Sequence, residues 1–364
     1  MKGETGHRTE TRGVDAMATD GAASSFSAPS AWTGFWVLVL HSLKRHWRVR
    51  QMGWVSIGLL GLTGMWVSAV TLSPAGWGIE DRRVRRMSVT YTEYAEQQLL
   101  PGRYAALQPQ LTSYPPGPPP RLPHPAETPT PLDPTADALR SLLYAVPHAV
   151  LSSEKFRHDW AFTNFTRTVP LGAFVGFVLP LFTLAFASGA LGTERESRSL
   201  IWLTTRPLPR SAIYLATFLG AVPWCVAFAV GGFAALCLAG ADLGREALAL
   251  YWPAAAGATV AFSALFHLVG AAFRRPVVVG LVYVFFFEAL VAALPGSLKL
   301  LSLSFYARSV IYNEAVAAGY PGPMLEVPGA VASATAWTVL ALATAALLAL
   351  GAWRFARAEY RDDV

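Results

Sequence analysis

Residues 192–210 carry Glu194, Arg195, Glu196, Arg198, Arg206 and Arg210 between two long apolar runs. Charged side chains at this density cannot sit in hydrocarbon, but at a water-facing surface they can pair with a partner's charges and set its register. Pro207 and Pro209 stop any helix before the next apolar run, so the pattern predicts a short docking helix over 192–210. Leu200, Ile201, Leu203 and the flat ring of Trp202 would enter a groove on a partner, with Glu194, Glu196, Arg206 and Arg210 pairing at its rim. The other reading is a solvated loop whose acids and arginines pair with one another.

Two more ionisable residues draw attention because of what surrounds them. Glu288 stands in Phe285-Phe286-Phe287-Glu288-Ala289, about twelve residues and roughly 18 Å into an apolar run, a depth where a bare carboxylate is costly. It is either a functional acid or a hydrogen-bonded packing residue. His267, in the preceding apolar run, is a possible partner at a shallower depth, and a lone histidine there reads first as a core residue. Catalytic signatures are missing. None of Lys2, Lys44, Lys155 and Lys299 follows a glycine, so the chain has no phosphate loop. It also lacks a His-Glu-x-x-His pair and a Gly-x-Ser-x-Gly elbow. No enzyme activity, metal site or cofactor of its own is expected.

The elements that must position these residues are membrane spans. Hydrophobic residues make up 53% of the chain and charged residues 14%, and the apolar stretches have the length of about twenty residues that a bilayer core demands. The expected fold is an all-α polytopic membrane protein. Six spans are read: Gly53 to Leu72, Val169 to Leu191, Ala212 to Leu238, Leu250 to Phe273, Val277 to Leu294 and Ala330 to Trp353. Most of the Lys and Arg in short loops fall on one side, together with both termini, which predicts cytoplasmic termini. Arg82, Arg83, Arg85 and Arg86 oppose this, but they belong to a loop of about ninety residues, and long loops translocate largely regardless of charge. The net charge of +6 fits an anionic lipid surface and gives no reason to expect nucleic acid.

Residues 1–30 are polar and small, with no apolar signal-peptide core, and are expected to form a disordered cytoplasmic tail. Trp32, Phe35, Trp36, Val39, Leu40, Leu43 and Trp47 recur at helical spacing, with His41, Lys44, Arg45 and Arg48 on the remaining face, predicting an interfacial elbow helix over 31–51 ahead of span one at 52–73. Residues 74–168 form an extracytoplasmic insertion, proline-rich from Pro115 to Pro134, in which Trp160, Phe162 and Phe165 would lean on the membrane surface. Residues 169–364 hold spans two to six. The apolar but interrupted stretch from Gly296 to Gly329 predicts a re-entrant or surface-lying helix before span six. Gly58, Gly61 and Gly64 on span one, and Gly172 and Gly176 on span two, allow close helix approach within the chain or between copies. Cys225 and Cys237 are too far apart along one helix to bridge.

The charged loop resembles a known motif. Glu194-x-Glu196-x-x-Ser199-Leu200, then Leu203, Pro207-Leu208 and Arg210, is similar to the loop after the second span of type-2 ABC exporter permeases, usually Glu-x-Glu-x-Gly-Thr-Leu, Leu-Leu and Pro-x-x-Arg. Arg198 stands where that family has Gly, and Thr204 where it has Leu. The six-span layout, elbow and re-entrant region resemble the family from about residue 31 onward, leaving out the long insertion and the tail. The resemblance implies a permease that pairs with a second copy or a related half, each docking on a separate ATPase subunit that binds ATP and Mg. A bacterial plasma membrane is the expected location. The competing class is a membrane scaffold that anchors protein partners without transport. The apolar path would suit many substrates.

Overall fold

The computed structural model describes residues 31–46, 50–73, 76–79, 82–86, 150–151, 153–196, 208–290, 297–320, 322–325 and 327–357. The expected tail, the proline-rich middle of the insertion and most of the docking segment lie outside these residues. Among the described residues every regular element is helical. The chain begins with α1 (Ala31–His46) and α2 (Arg50–Thr71). A long rod follows, built from α3 (Glu154–Thr166), a π-helical segment (Arg167–Val178) and α4 (Leu179–Glu196). Then come α5 (Arg210–Ala239) and α6 (Ala241–Ala272), joined so tightly at Gly240 that Ala241 takes a left-handed φ of 53°. α7 (Pro276–Val282) continues into a second π-helical segment (Tyr283–Leu290). A 3₁₀ turn leads to α8 (Leu303–Ala317), and α9 (Ser333–Arg357) closes the chain.

Four helices are long and apolar enough to cross a membrane: Glu154–Leu191, Arg210–Ala239, Ala241–Ala272 and Ser333–Arg357. Ser56–Thr71 and Pro276–Glu288 supply shorter apolar stretches where spans one and five are expected. α8 has 15 residues, about 22 Å of helix, too short to cross a core of about 30 Å. It packs against α6, α9 and the first π segment.

Helix α3 starts at Glu154, well before the expected beginning of span two. Ser153 caps it by accepting the Phe156 amide at 3.3 Å. This corrects the expectation for its aromatic residues. Phe162 and Phe165 are fully buried, Phe162 stacked on Tyr320 at 4.0 Å and Phe165 edge-on to Trp77 at 5.2 Å. They belong to the main core, where Phe174, Phe182, Phe233, Tyr251 and Phe262 fill the space between α4, α5 and α6. The wide turn of the first π segment follows from Pro170, which has no amide to give a helical ladder. Its end closes with the Leu179 amide on the Phe174 carbonyl, five residues back.

Candidate functional site

A second, smaller core lies at the end of the bundle marked by Arg210, Arg274, Arg275 and Arg354. Leu191 near the end of α4, Leu208 and Ile213 at the start of α5, Tyr214, Ala271 at the end of α6 and Phe355 in α9 meet Leu38 and Val39 of α1 there. Both flanks of the charged segment are thus held in one apolar cluster with the N-terminal helix. Glu194 and Glu196 lie in the last turn of α4, and Arg210 opens α5, exposed. Leu200, Trp202, Leu203 and Pro207 lie outside the described residues. α1 is fastened along α5 at several points. The Trp224 Nε1 donates to the Leu43 carbonyl at 2.9 Å, and Gly220 lets Ser42 approach so closely that a Cβ there would stand 2.6 Å from the Ser42 Cβ.

His267 lies just inside this cluster, fully buried. Its Nε2 is 3.2 Å from the Tyr214 carbonyl and 3.4 Å from the Thr217 hydroxyl, and its Nδ1 is 3.4 Å from the Ala187 carbonyl. Tyr214 and Phe218 pack on its ring at 4.5 and 5.5 Å. One imidazole therefore ties α4, α5 and α6 together, the arrangement of a satisfied core histidine.

Glu288 is elsewhere, and the possible pairing with His267 does not occur. Its Oε1 accepts from the Tyr283 hydroxyl at 2.7 Å and the Leu303 amide at 3.2 Å. Its Oε2 accepts from the Ser302 hydroxyl at 2.7 Å and the Ser304 amide at 3.2 Å. The carboxyl group thus caps α8 at the helix end where orphan amides and the dipole favour an acid. Ser302, the N-cap residue, also accepts the Phe305 amide at 3.3 Å. One side chain, 14 to 16 residues away in sequence from Ser302, Leu303 and Ser304, thus ties the second π-helical segment to the start of α8.

A family model for the ABC-2 family transporter protein matches residues 16–360. The chain belongs to the ABC-2 transporter family. No individual characterised protein and no solved structure matches it. ABC-2 proteins are the multi-pass membrane permease components of ABC transporters and generally work with an ABC ATPase.

At the far end of this ABC-2 protein, beside the α5–α6 turn, the Tyr320 hydroxyl donates to Glu246. His158 Nε2 stands 3.7 Å from the Glu246 Oε2, and its Nδ1 stands 3.9 Å from the Asp159 Oδ1. Burial, followed by the hydrogen bond to Glu246 and its charge, holds the Tyr320 phenol protonated well above its usual range. These contacts bind α3, α6 and the loop after α8 into a collar at that end. Sequence reasoning missed the collar, as it missed the donors around Glu288 and the half-buried Arg308. The usable signal for the last was an arginine inside the apolar run that became α8.

Proposed function

We propose that this chain is the membrane-spanning permease subunit of an ATP-driven exporter, driven by a separate ATPase subunit that docks on residues 192–210. The observation that carries the reading is the small core at the arginine end. It clamps both flanks of that segment to α1, so a push on the segment reaches α5, α4 and α1 together. In this reading the arginine end is cytoplasmic, α1 lies as an elbow in the inner headgroup layer and α2 and α7 complete six spans. α8 then forms the outward limb of a re-entrant segment. Exposed Trp32 and Trp36 on α1 support the elbow. ATP and Mg belong to the partner, and the chain itself catalyses nothing. Pairing with a second copy or a related half is supported by Gly58, Gly61 and Gly64, which have nothing within 4 Å and leave a smooth strip on α2 for another helix. The bacterial plasma membrane is the proposed location.

The test is hydrolysis by the ATPase co-purified with the permease in nanodiscs. Permease-dependent ATP turnover is expected to fall by about tenfold or more in Glu196→Lys and Trp202→Glu, because each removes a central contact of a small interface. Turnover that ignores both changes would leave a membrane scaffold as the better description.

A further inference from the structure

Arg308 is half-buried on α8, with one edge of its guanidinium closed off from any partner. Its Nε is enclosed and has no hydrogen-bond partner among the described residues, and the ion pairs formed by those residues do not include it. Glu288 is near enough for its charge to act on Arg308, yet both Glu288 oxygens are already taken by Tyr283, Ser302 and the two α8 amides. The guanidinium reaches the first π segment at Gly176, where a Cβ would stand 3.0 Å from Nη2. A glycine at that point makes room for the guanidinium. The guanidinium therefore rests against one π-helical segment and within the field of Glu288 on the other, and π-helical turns recur at functional sites. Their side chains meet next to it, Phe177 to Phe285 at 6.3 Å, and both rings are exposed on their outer faces, as is Phe286.

We propose that Arg308 binds the anionic head of an amphiphile, a phosphate or carboxylate carried on an apolar body. A half-buried arginine whose nearest carboxylate is already bonded to other donors still has its own donors to offer, and its planar fork suits a tetrahedral or planar anion. The apolar body would lie against Phe177, Phe285 and Phe286 while the head reaches Nη2 past Gly176. The proposal rests on the permease reading only for the ligand's role as cargo, because binding needs neither ATP nor ATPase. Failed coupling and failed binding are thus read separately.

The full chain in phosphatidylcholine nanodiscs, titrated with phosphatidic acid and followed by native mass spectrometry and thermal unfolding, tests this. Bound phosphatidic acid and a raised Tm are expected for the wild type. Arg308→Gln should weaken binding about tenfold through loss of a charge-assisted bond, and Arg308→Lys should retain most of it. Gly176→Val, whose side chain pushes the guanidinium out of its seat, should also weaken it and serves if the glutamine variant does not fold. Wild-type affinity in Arg308→Gln or in Gly176→Val overturns the proposal. An equal loss in Arg357→Gln, at the exposed end of α9, overturns it by showing surface attraction alone. Saturation of the site by soluble inorganic phosphate overturns the amphiphile.

Discussion

A carboxyl group inside an apolar bundle is tolerated only when donors replace the water it has left, and Glu288 is supplied from two elements at once. Removing it exposes the arrangement's cost. In Glu288→Gln the amide nitrogen would face donors on every side, and a loss of about 1–3 kcal/mol is expected. Glu288→Ala leaves the Leu303 and Ser304 amides and two hydroxyls without their acceptor, and should lose more than the glutamine variant. Thermal unfolding in one detergent, comparing the three proteins, reads the order directly. Equal Tm values for all three would mean that Glu288 does not hold α8. The sequence singles out Glu288 because an acid among phenylalanines has no cheap explanation. It does not reveal the donors, since Ser302 and Ser304 are ordinary residues in a stretch whose fold depends on where α8 begins. Arg308 was equally visible as an ionised residue, but its meaning depends on Gly176, far away in sequence and brought opposite only by packing.

At the scale of elements, the pairing of α1 with α5 decides whether movement of the charged segment reaches the spans. The periodic aromatic stripe on α1 identified the helix, but the buried face is narrower and turned away from much of that stripe. Leu38, Val39 and Ser42 face α5, while Trp32, Trp36 and Leu40 are exposed. The reason lies in the partner: Gly220 removes a side chain opposite Ser42, and no pattern within α1 records that. Gly220→Val should therefore lift α1 and cost about 1–3 kcal/mol by overpacking. Trp224→Phe, which loses only the bond to the Leu43 carbonyl, should cost about 1 kcal/mol. Limited proteolysis of α1, alongside thermal unfolding, checks both. Faster cleavage in Gly220→Val than in Trp224→Phe is the expected order, and protection equal to the wild type in both would detach α1 from the coupling route. The long helices themselves were legible from apolar length alone. The extension of α3 ahead of span two was not, because the polar residues of Glu154–Thr166 conceal a face whose phenylalanines belong to the core.

The whole molecule has two chemically different ends, and its orientation turns on which of them meets the cytosol. The Arg354 Nη2 reaches the Ala272 carbonyl at 3.4 Å, so the last helix and α6 finish together, beside Arg274 and the opening of α5 at Arg210. Residues 76–79 belong to the opposite end, where the Asn164 Nδ2 donates to the Trp77 carbonyl at 3.2 Å and Trp77 packs on Phe165. This bears on the arginine cluster that the loop-charge rule would retain inside: Arg83 follows soon after Trp77 in sequence and is expected on the side of the α5–α6 turn and Arg245. Cys225 and Cys237 are both free and buried, which leaves a quiet background for cysteines introduced elsewhere. Arg83→Cys and Arg245→Cys should react with a membrane-impermeant maleimide in intact cells, whereas Arg274→Cys and Arg354→Cys should react only after the membrane is opened. The first pair also tests whether the exposed arginines of 82–86 cross despite their charge. Reaction of Arg274→Cys in intact cells would place residues 192–210 outside as well, since a single pair of spans, α5 and α6, separates the two loops. No cytosolic ATPase could then reach the segment, and the force would have to enter the bundle elsewhere.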